Sequence, residues 1–383
     1  MTHLAPPPVN APIANQTSVS SAPSAILETV RAIAARIAPA AHDIDHKGVY
    51  PGDFLHELGA AGAFSPHLDA QTTVGRRDLG LAIRAMAAVG ASCMSTAFCM
   101  WCQDACGWYL ENTSNTGLRD KLQPGIATGI LLGGTGLSNP VKALSGIEKF
   151  KLRAQRTTGG YIVSGVLPWV SNLGDGHWFG TVFEDATDPA HRLMAMVQCG
   201  QPGVQIKQNA RFIALEGTGT YSVLFRRAFI ADEMILADPL ADMVKRVKPG
   251  FLLLQAGMGL GVTQAAINLM HTANASLGSS NAYLPKQVDA FERELDSLHD
   301  TIDTLATTPL DGSTDYVRAV LTARLRTSEL TLEAAQSALL HAGARGYIEG
   351  SATSRVLRES YFVAIITPSI KHLRQELELL GRH

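Results

Sequence analysis

Charge is scarce in this sequence: Asp, Glu, Lys and Arg make up 17% of 383 residues, and the formal net charge is -2. Such a balance leaves no basic footprint for nucleic acid or for an anionic membrane surface. Apolar runs of the roughly 18 to 20 residues that a membrane helix requires are missing too, because Gly, Ser or a charge interrupts the longest candidates. Cysteine is sparse and unevenly placed. Cys93, Cys99, Cys102 and Cys106 crowd one segment and Cys199 stands apart, which is not the spacing of a secreted disulfide framework. Cys99, Cys102 and Cys106 share one helical face, and with Phe98, Met100 and Trp101 around them they read as core packing rather than metal ligands. Residues 1–23, rich in Pro, Ser, Ala and Asn, lack a basic start and an apolar stretch, so they read as a disordered leader and not a signal peptide. The expected compartment is cytoplasmic.

Hydrophobic residues, by contrast, reach 46%, over a length that suggests two or three packed subdomains. Between residues 24 and 128 the apolar positions have helical spacing, as in Ile26, Val30, Ile33 and Ile37 or Leu79, Ile83, Met86 and Val89. Between 129 and 238, short β-branched and aromatic runs alternate with Gly, Asn and Asp turns, which predicts an antiparallel β domain. Helical periodicity returns from 239 to 383, broken by a loop near Pro309 to Ser313. Helices, then strands, then helices make an α+β chain, not a doubly wound sheet.

Two patterns imitate ligand sites. Gly257, Gly259 and Gly261 follow an apolar run as a dinucleotide-binding loop would, but the third required glycine is Val262 and no acidic residue follows about twenty positions on. They read instead as a smooth helix face that permits close approach. His42, Asp43, Asp45 and His46 have the density of a metal site, yet their setting reads as a solvated helix end. No metal is expected.

The run from Gly343 to Glu359 is the most informative. A small-residue turn with Arg345 and Gly346, then Tyr347, a polar stretch, and Arg355, Arg358 and Glu359 on a new helix resemble the C-terminal signature of the acyl-CoA dehydrogenase superfamily. Tyr161 to Gly165 followed by Pro168, Trp169, Val170, Ser171 and Asn172 is similar to that family's strand-turn-strand, in which a tryptophan covers a flavin and a following hydroxyl reaches its reactive edge. An aromatic there shields the ring from water, and a hydroxyl or N–H can stabilise charge on it. Thr135, in the loop from Gly133 to Pro140, matches the family's cofactor-binding Ser or Thr.

This resemblance runs from about residue 24 to 380. It implies an acyl-CoA dehydrogenase-like α+β fold: an N-terminal α-helical domain (24–128), a middle antiparallel β domain (129–238) and a C-terminal four-helix bundle (239–383). It also implies FAD in preference to FMN, with Thr135, Trp169, Val170 and Ser171 at the ring and Gly343, Arg345 and Gly346 at the diphosphate. The family's members are mostly homotetramers or dimers with FAD at subunit contacts.

The departures bear on chemistry. The family's proton-abstracting glutamate falls at Thr367. The alternative position in other branches falls near Phe251, and no Asp or Glu occurs from Pro249 to Tyr283. A hydroxyl is too weak a base to remove the α-proton of an acyl thioester. Glu349 and Glu359 are the candidates for a relocated base, although Glu359 matches the family's arginine-paired structural acid. The stretch from Ala273 to Asn281 has no basic residue where the family carries an arginine for the diphosphate, and Leu340 replaces the family's usual Gln. Three functions remain open: an FAD-dependent oxidoreductase on an acyl thioester of coenzyme A or an acyl carrier protein, a reduced-flavin monooxygenase, or a non-catalytic partner subunit. The first needs an electron-transfer partner and the second a flavin reductase.

Overall fold

The computed structural model describes residues 23–69, 71 and 76–382. The expected leader therefore lies outside the described residues except for Pro23, which opens the first helix. Five helices come first: α1 (Pro23–Ile37), α2 (Gly52–Ala60), α3 (Leu79–Gly90), α4 (Met94–Asn112) and α5 (Thr116–Ala127). In α1 the buried residues include Ile26, Val30, Ile33 and Ile37, one stripe at helical spacing. α4 differs, being buried on all sides from Met94 to Leu110, which makes it the central post of the helical core. Its cysteines belong to that core. Burial pushes the Cys93 thiol up to about 11 and the Cys106 thiol to about 12, so both stay protonated at neutral pH.

A sheet follows, built from β1 (Gly133–Thr135), β2 (Leu152–Thr157), β3 (Gly160–Val170), β4 (Trp178–Asp185), β5 (Arg192–Gln198), β6 (Val204–Lys207), β7 (Tyr221–Ala231) and β8 (Ile235–Ala237), with α6 (Ser138–Leu144) after β1. Its order is β6-β7-β3-β2-β4-β5-β8, with β1 also on β4. Most pairs are antiparallel as expected, but β1 and β2 both run parallel to β4. They occupy opposite ends of the same edge of β4, β1 from Trp178 to Gly180 and β2 at Glu184 and Asp185. A further bridge joins Thr135 of β1 to Ser171 just beyond β3. The stretch expected to be strand-turn-strand is thus one long strand, its register shifted after Val163 and again after Leu167.

Five helices complete the chain: α7 (Ala241–Asn281), α8 (Val288–Ala306), α9 (Thr314–Ala342), α10 (Ala352–Ile365) and α11 (Ile370–Leu380). α7 corrects the reading that no apolar stretch is long enough for a membrane. It is unbroken for 41 residues, and its most apolar 18-residue window meets that length and hydropathy. Gly and Thr interrupt the apolar run without ending the helix, and 94% of the window is buried inside the protein, so it is a core helix. Close packing explains its glycines. A Cβ on Gly261 would sit 2.6 Å from the Ala87 carbonyl oxygen and 2.7 Å from Gly90 Cα of α3, and one on Gly259 would meet Thr327 of α9 at 2.4 Å.

Candidate active site

β1, the end of β3, α4, the start of α7 and the α10–α11 turn converge on a cavity of about 400 Å³. Thr135, Trp169, Ser171 and Thr367, four of the residues singled out in the sequence, all line it. Trp169 stands at 48% exposure, whereas Thr135, Ser171 and Thr367 are buried. Asn172 holds this arrangement together. It adopts a left-handed φ of 61°, donates from Nδ2 to the Gly133 carbonyl at 2.7 Å, and accepts from the Tyr50 hydroxyl at 2.6 Å. After glycine, Asn and Asp tolerate that conformation best.

Hydroxyls line one wall. Thr218 Oγ1 donates to the Leu215 carbonyl at 2.8 Å, so its 2.8 Å bond with Thr220 is donated by Thr220, and the 2.7 Å bond between Ser171 and Thr220 is donated by Ser171. Ser171 is thereby left with lone pairs, an acceptor for an N–H. Thr135 shares a 2.7 Å bond with the buried Tyr109 hydroxyl, whose pKa burial holds well above the ordinary phenol value. Across the cavity Ser138 Oγ lies 3.2 Å from Thr367 Oγ1, and Gln255 Nε2 donates to the Thr367 carbonyl at 2.9 Å.

Aromatics form the other wall, and sequence reading placed only Phe251 among them near a site, as the position of the alternative base. Phe98 and Trp101 of α4 stack 5.8 Å apart, Phe362 of α10 meets Phe98 edge-on at 4.6 Å, and Phe251 of α7 meets Trp101 edge-on at 5.1 Å. All four line the cavity. Arg358 lines it as well, donating to Asp45 at 2.7 Å and to the Ile213 carbonyl, while Asp45 also accepts from Leu215 N at 2.7 Å. The expectation of a solvated helix end at His42–His46 therefore holds for the two exposed histidines but fails for Asp45. That carboxylate is 1% exposed and ties the residue 213–215 loop to α10.

Among the described residues the lining contains two cations, Lys142 and Arg358, and no Asp or Glu. Lys142 is paired with Glu148 at 3.2 Å and Arg358 with Asp45, so neither charge is free. Thr367 and Phe251 face this same space. Glu359 is buried against Arg355 at 2.8 and 3.0 Å, and Glu349 is exposed in the turn before α10; neither lines the cavity.

A second chamber of about 460 Å³ shares Leu137 and Phe251 with the first. Its walls are apolar residues of α6, β4, β5 and the start of α7, with Arg192, Lys245 and Lys248 among them. It holds the one carboxylate lining either chamber among the described residues, Glu376 of α11. Glu376 pairs with Lys248 at 2.8 Å and with His372 at 3.2 Å, and His372 also reaches Ser145 at 2.7 Å. Burial alone would raise the Glu376 carboxyl, but His372 and Lys248 hold it below the usual value.

Other sequence candidates lie elsewhere. The Val170 side chain is fully buried in the sheet's own core, so only its backbone can face a ligand. Gly343, Arg345 and Gly346 form the turn after α9, outside both chambers. Gly343 closes α9 with φ 59° and Arg345 is exposed. No group of three His, Cys, Asp or Glu side chains among the described residues could hold a metal ion.

The first chamber suits a planar heteroaromatic ring. Flat side chains and hydroxyls line it, and the buried Trp101 Nε1 has no partner in the protein. Among the described residues, both cations in its lining are already paired with carboxylates, so neither is spare for a diphosphate.

Comparison with known proteins matches residues 21–130 to the family model for the acyl-CoA dehydrogenase N-terminal domain. Benzylmalonyl-CoA dehydrogenase of Aromatoleum aromaticum is 26% identical over 61% of this chain, an alignment that spans 62% of that relative's length. The mitochondrial 2-methylacyl-CoA dehydrogenase of Solanum tuberosum is 24% identical over 88% of this chain and 85% of its own. Butyryl-CoA dehydrogenase from Megasphaera elsdenii superposes with a TM-score of 0.83 at 15% identity, covering 96% of this chain and 99% of the other. The dibenzothiophene monooxygenase TdsC from Paenibacillus sp. A11-2 does so with a TM-score of 0.80 at 13% identity, covering 94% and 97%, and another of its structures is FMN-bound. Residues 21–130 thus match the acyl-CoA dehydrogenase N-terminal domain, and the chain has the acyl-CoA dehydrogenase fold over nearly its whole length.

Proposed function

We propose that this chain is a flavin-dependent oxidoreductase of the reduced-flavin monooxygenase type. One observation carries the reading: Thr367 and Phe251 both face the chamber, where the family resemblance places a carboxylate, and no Asp or Glu joins them in its lining. Removing an α-proton from an acyl thioester requires a base of carboxylate strength, which a threonine hydroxyl does not supply. Bound flavin brings two-electron redox chemistry and, once reduced, reactivity toward O2. Trp169, Phe98 and Phe251 exclude water from the ring, Ser171 accepts from a ring N–H, and Thr135 bonds its edge. FAD, the cofactor of the family's homologues, is preferred. Gly343, Arg345 and Gly346 then serve the diphosphate of a flavin held by a second copy of the chain.

The substrate is assigned to the second chamber, which shares Leu137 and Phe251 with the first. A second reading, dehydrogenation of an acyl thioester, is favoured by that chamber's apolar walls and lysines, with Glu376 as the nearest available carboxylate. Purified protein, loaded with FAD and supplied with NADH and a separate flavin reductase under 18O2, tests the choice. Label in the product supports the monooxygenase. Anaerobic bleaching of the flavin by an acyl thioester supports the dehydrogenase. Protein that takes up flavin only beside a co-expressed homologue is a partner subunit.

A further inference from the structure

Arg324 of α9 is 1% exposed, and its three bonds all go to neutral acceptors: Gln255 Oε1 at 3.0 Å, the Val363 carbonyl at 2.9 Å and Ser328 Oγ. Among the described residues no carboxylate pairs with it. Burial lowers its pKa only to about 10, so the guanidinium is a cation at neutral pH. An isolated buried ion is costly to a fold, and a well-packed apolar side chain would serve α9 as well or better. The two cations that line the first chamber differ, since Lys142 and Arg358 each have a carboxylate partner.

The charge is connected to the chamber. A guanidinium can only donate, so Gln255 must turn its oxygen toward Arg324. Its NH2 group then points away and donates to the Thr367 carbonyl at 2.9 Å. Thr367 lines the chamber, which leaves two hydrogen bonds between the uncompensated charge and the ligand space.

We propose that Arg324 is a positioning residue that fixes Thr367 through Gln255 and keeps a positive potential behind it, selecting a ligand that carries or acquires negative charge there. The proposal rests on the reading that a flavin ring occupies the first chamber, because the ring gains negative charge when reduced. A unit charge about 10 Å away at an effective dielectric of about 20 changes such a preference roughly tenfold.

Gln255→Glu is the sharpest test, since it sets a carboxylate beside the guanidinium, keeps the side-chain shape and removes the donor to Thr367. Arg324→Met and Arg324→Lys accompany it. Flavin affinity comes first, by quenching of tryptophan fluorescence, and the midpoint potential of the bound flavin second. Gln255→Glu and Arg324→Met are expected to weaken the preference for the reduced form about tenfold, a shift of about 30 mV to more negative potential. Arg324→Lys is expected to recover at least half of it. Folded Gln255→Glu protein with wild-type potential would overturn the proposal and leave Arg324 as a tie between α9, α7 and α10. Wild-type protein that binds no flavin would overturn the parent reading instead, before any potential is measured.

Discussion

Trp169 is half-exposed whereas Phe98, Trp101 and Phe251 of the same lining are buried, so its role is the easiest to isolate. Trp169→Ala is expected to weaken flavin binding at least tenfold, roughly the value of one lost stacking surface in a desolvated site. Unchanged retention by fluorescence titration would remove the ring from this strand. His67 and Asp104 make a second prediction, on pH. Both are fully buried, 3.8 Å apart, and burial pushes His67 down to about 4 and Asp104 well above its ordinary value. A base with a lowered folded pKa contributes fully above about 6.5 and loses about 3 kcal/mol as pH falls to about 4. Asp104 acts in the opposite sense: protonated in the fold, it lowers stability as pH rises above the ordinary carboxylate range. Asp104→Asn should therefore raise the melting temperature at neutral pH and flatten its alkaline decline; equal or lower stability would contradict this. Thr135, Trp169, Ser171 and Thr367 were legible in the sequence because each falls in a local motif of fixed order. Phe98, Trp101 and Phe362 were not, because with Phe251 their wall is built by three helices far apart in the chain. In sequence each of the three looks like one more core aromatic.

At the scale of elements, α7 carries the site. Its first turns line both chambers, and its middle is pressed against α3 and α9. A methyl group at Gly261 would collide with backbone of α3, which cannot swing aside. Gly261→Ala is therefore expected to cost about 2 kcal/mol, read by denaturant unfolding. Gly278 lies in the same helix with open space around its would-be Cβ, and Gly278→Ala should stabilise by about 0.5–1 kcal/mol. Equal effects at the two sites would contradict the packing argument. The glycine spacing disclosed a smooth helix face, but not which neighbour it served. The long β3 was read as two strands for a related reason. Gly165, at φ +138°, looks like a turn in sequence, whereas the structure uses it where a Cβ would strike the Lys151 carbonyl at 2.0 Å.

For the whole molecule, the order of helices, strands and helices was written in the periodicity, since each third of the chain holds one period. The parallel pairings on β4 and the second chamber were not, because both depend on how the thirds meet. The turn after α9 extends this to assembly. Leu340, Tyr347 and Ile348 are 60%, 83% and 62% exposed, and Tyr283 is 91% exposed at the end of α7, which Asn281 bonds to the His341 carbonyl. Exposed apolar side chains of this kind are the proposed contact surface between copies of the chain. Tyr347→Glu with Leu340→Glu is expected to reduce the mass seen by light scattering and to weaken FAD binding in parallel; a monomeric wild type would contradict the assembly.

The central claim is that a flavin ring sits between the Trp169 strand and the C-terminal helices with no carboxylate at its side. A crystal structure of the FAD-loaded protein tests it most directly. The expected result is a ring in the first chamber, edged by Thr135 and Ser171, with Thr367 and Phe251 facing it. A ring bound elsewhere, or an Asp or Glu side chain swung in beside it, would contradict the claim.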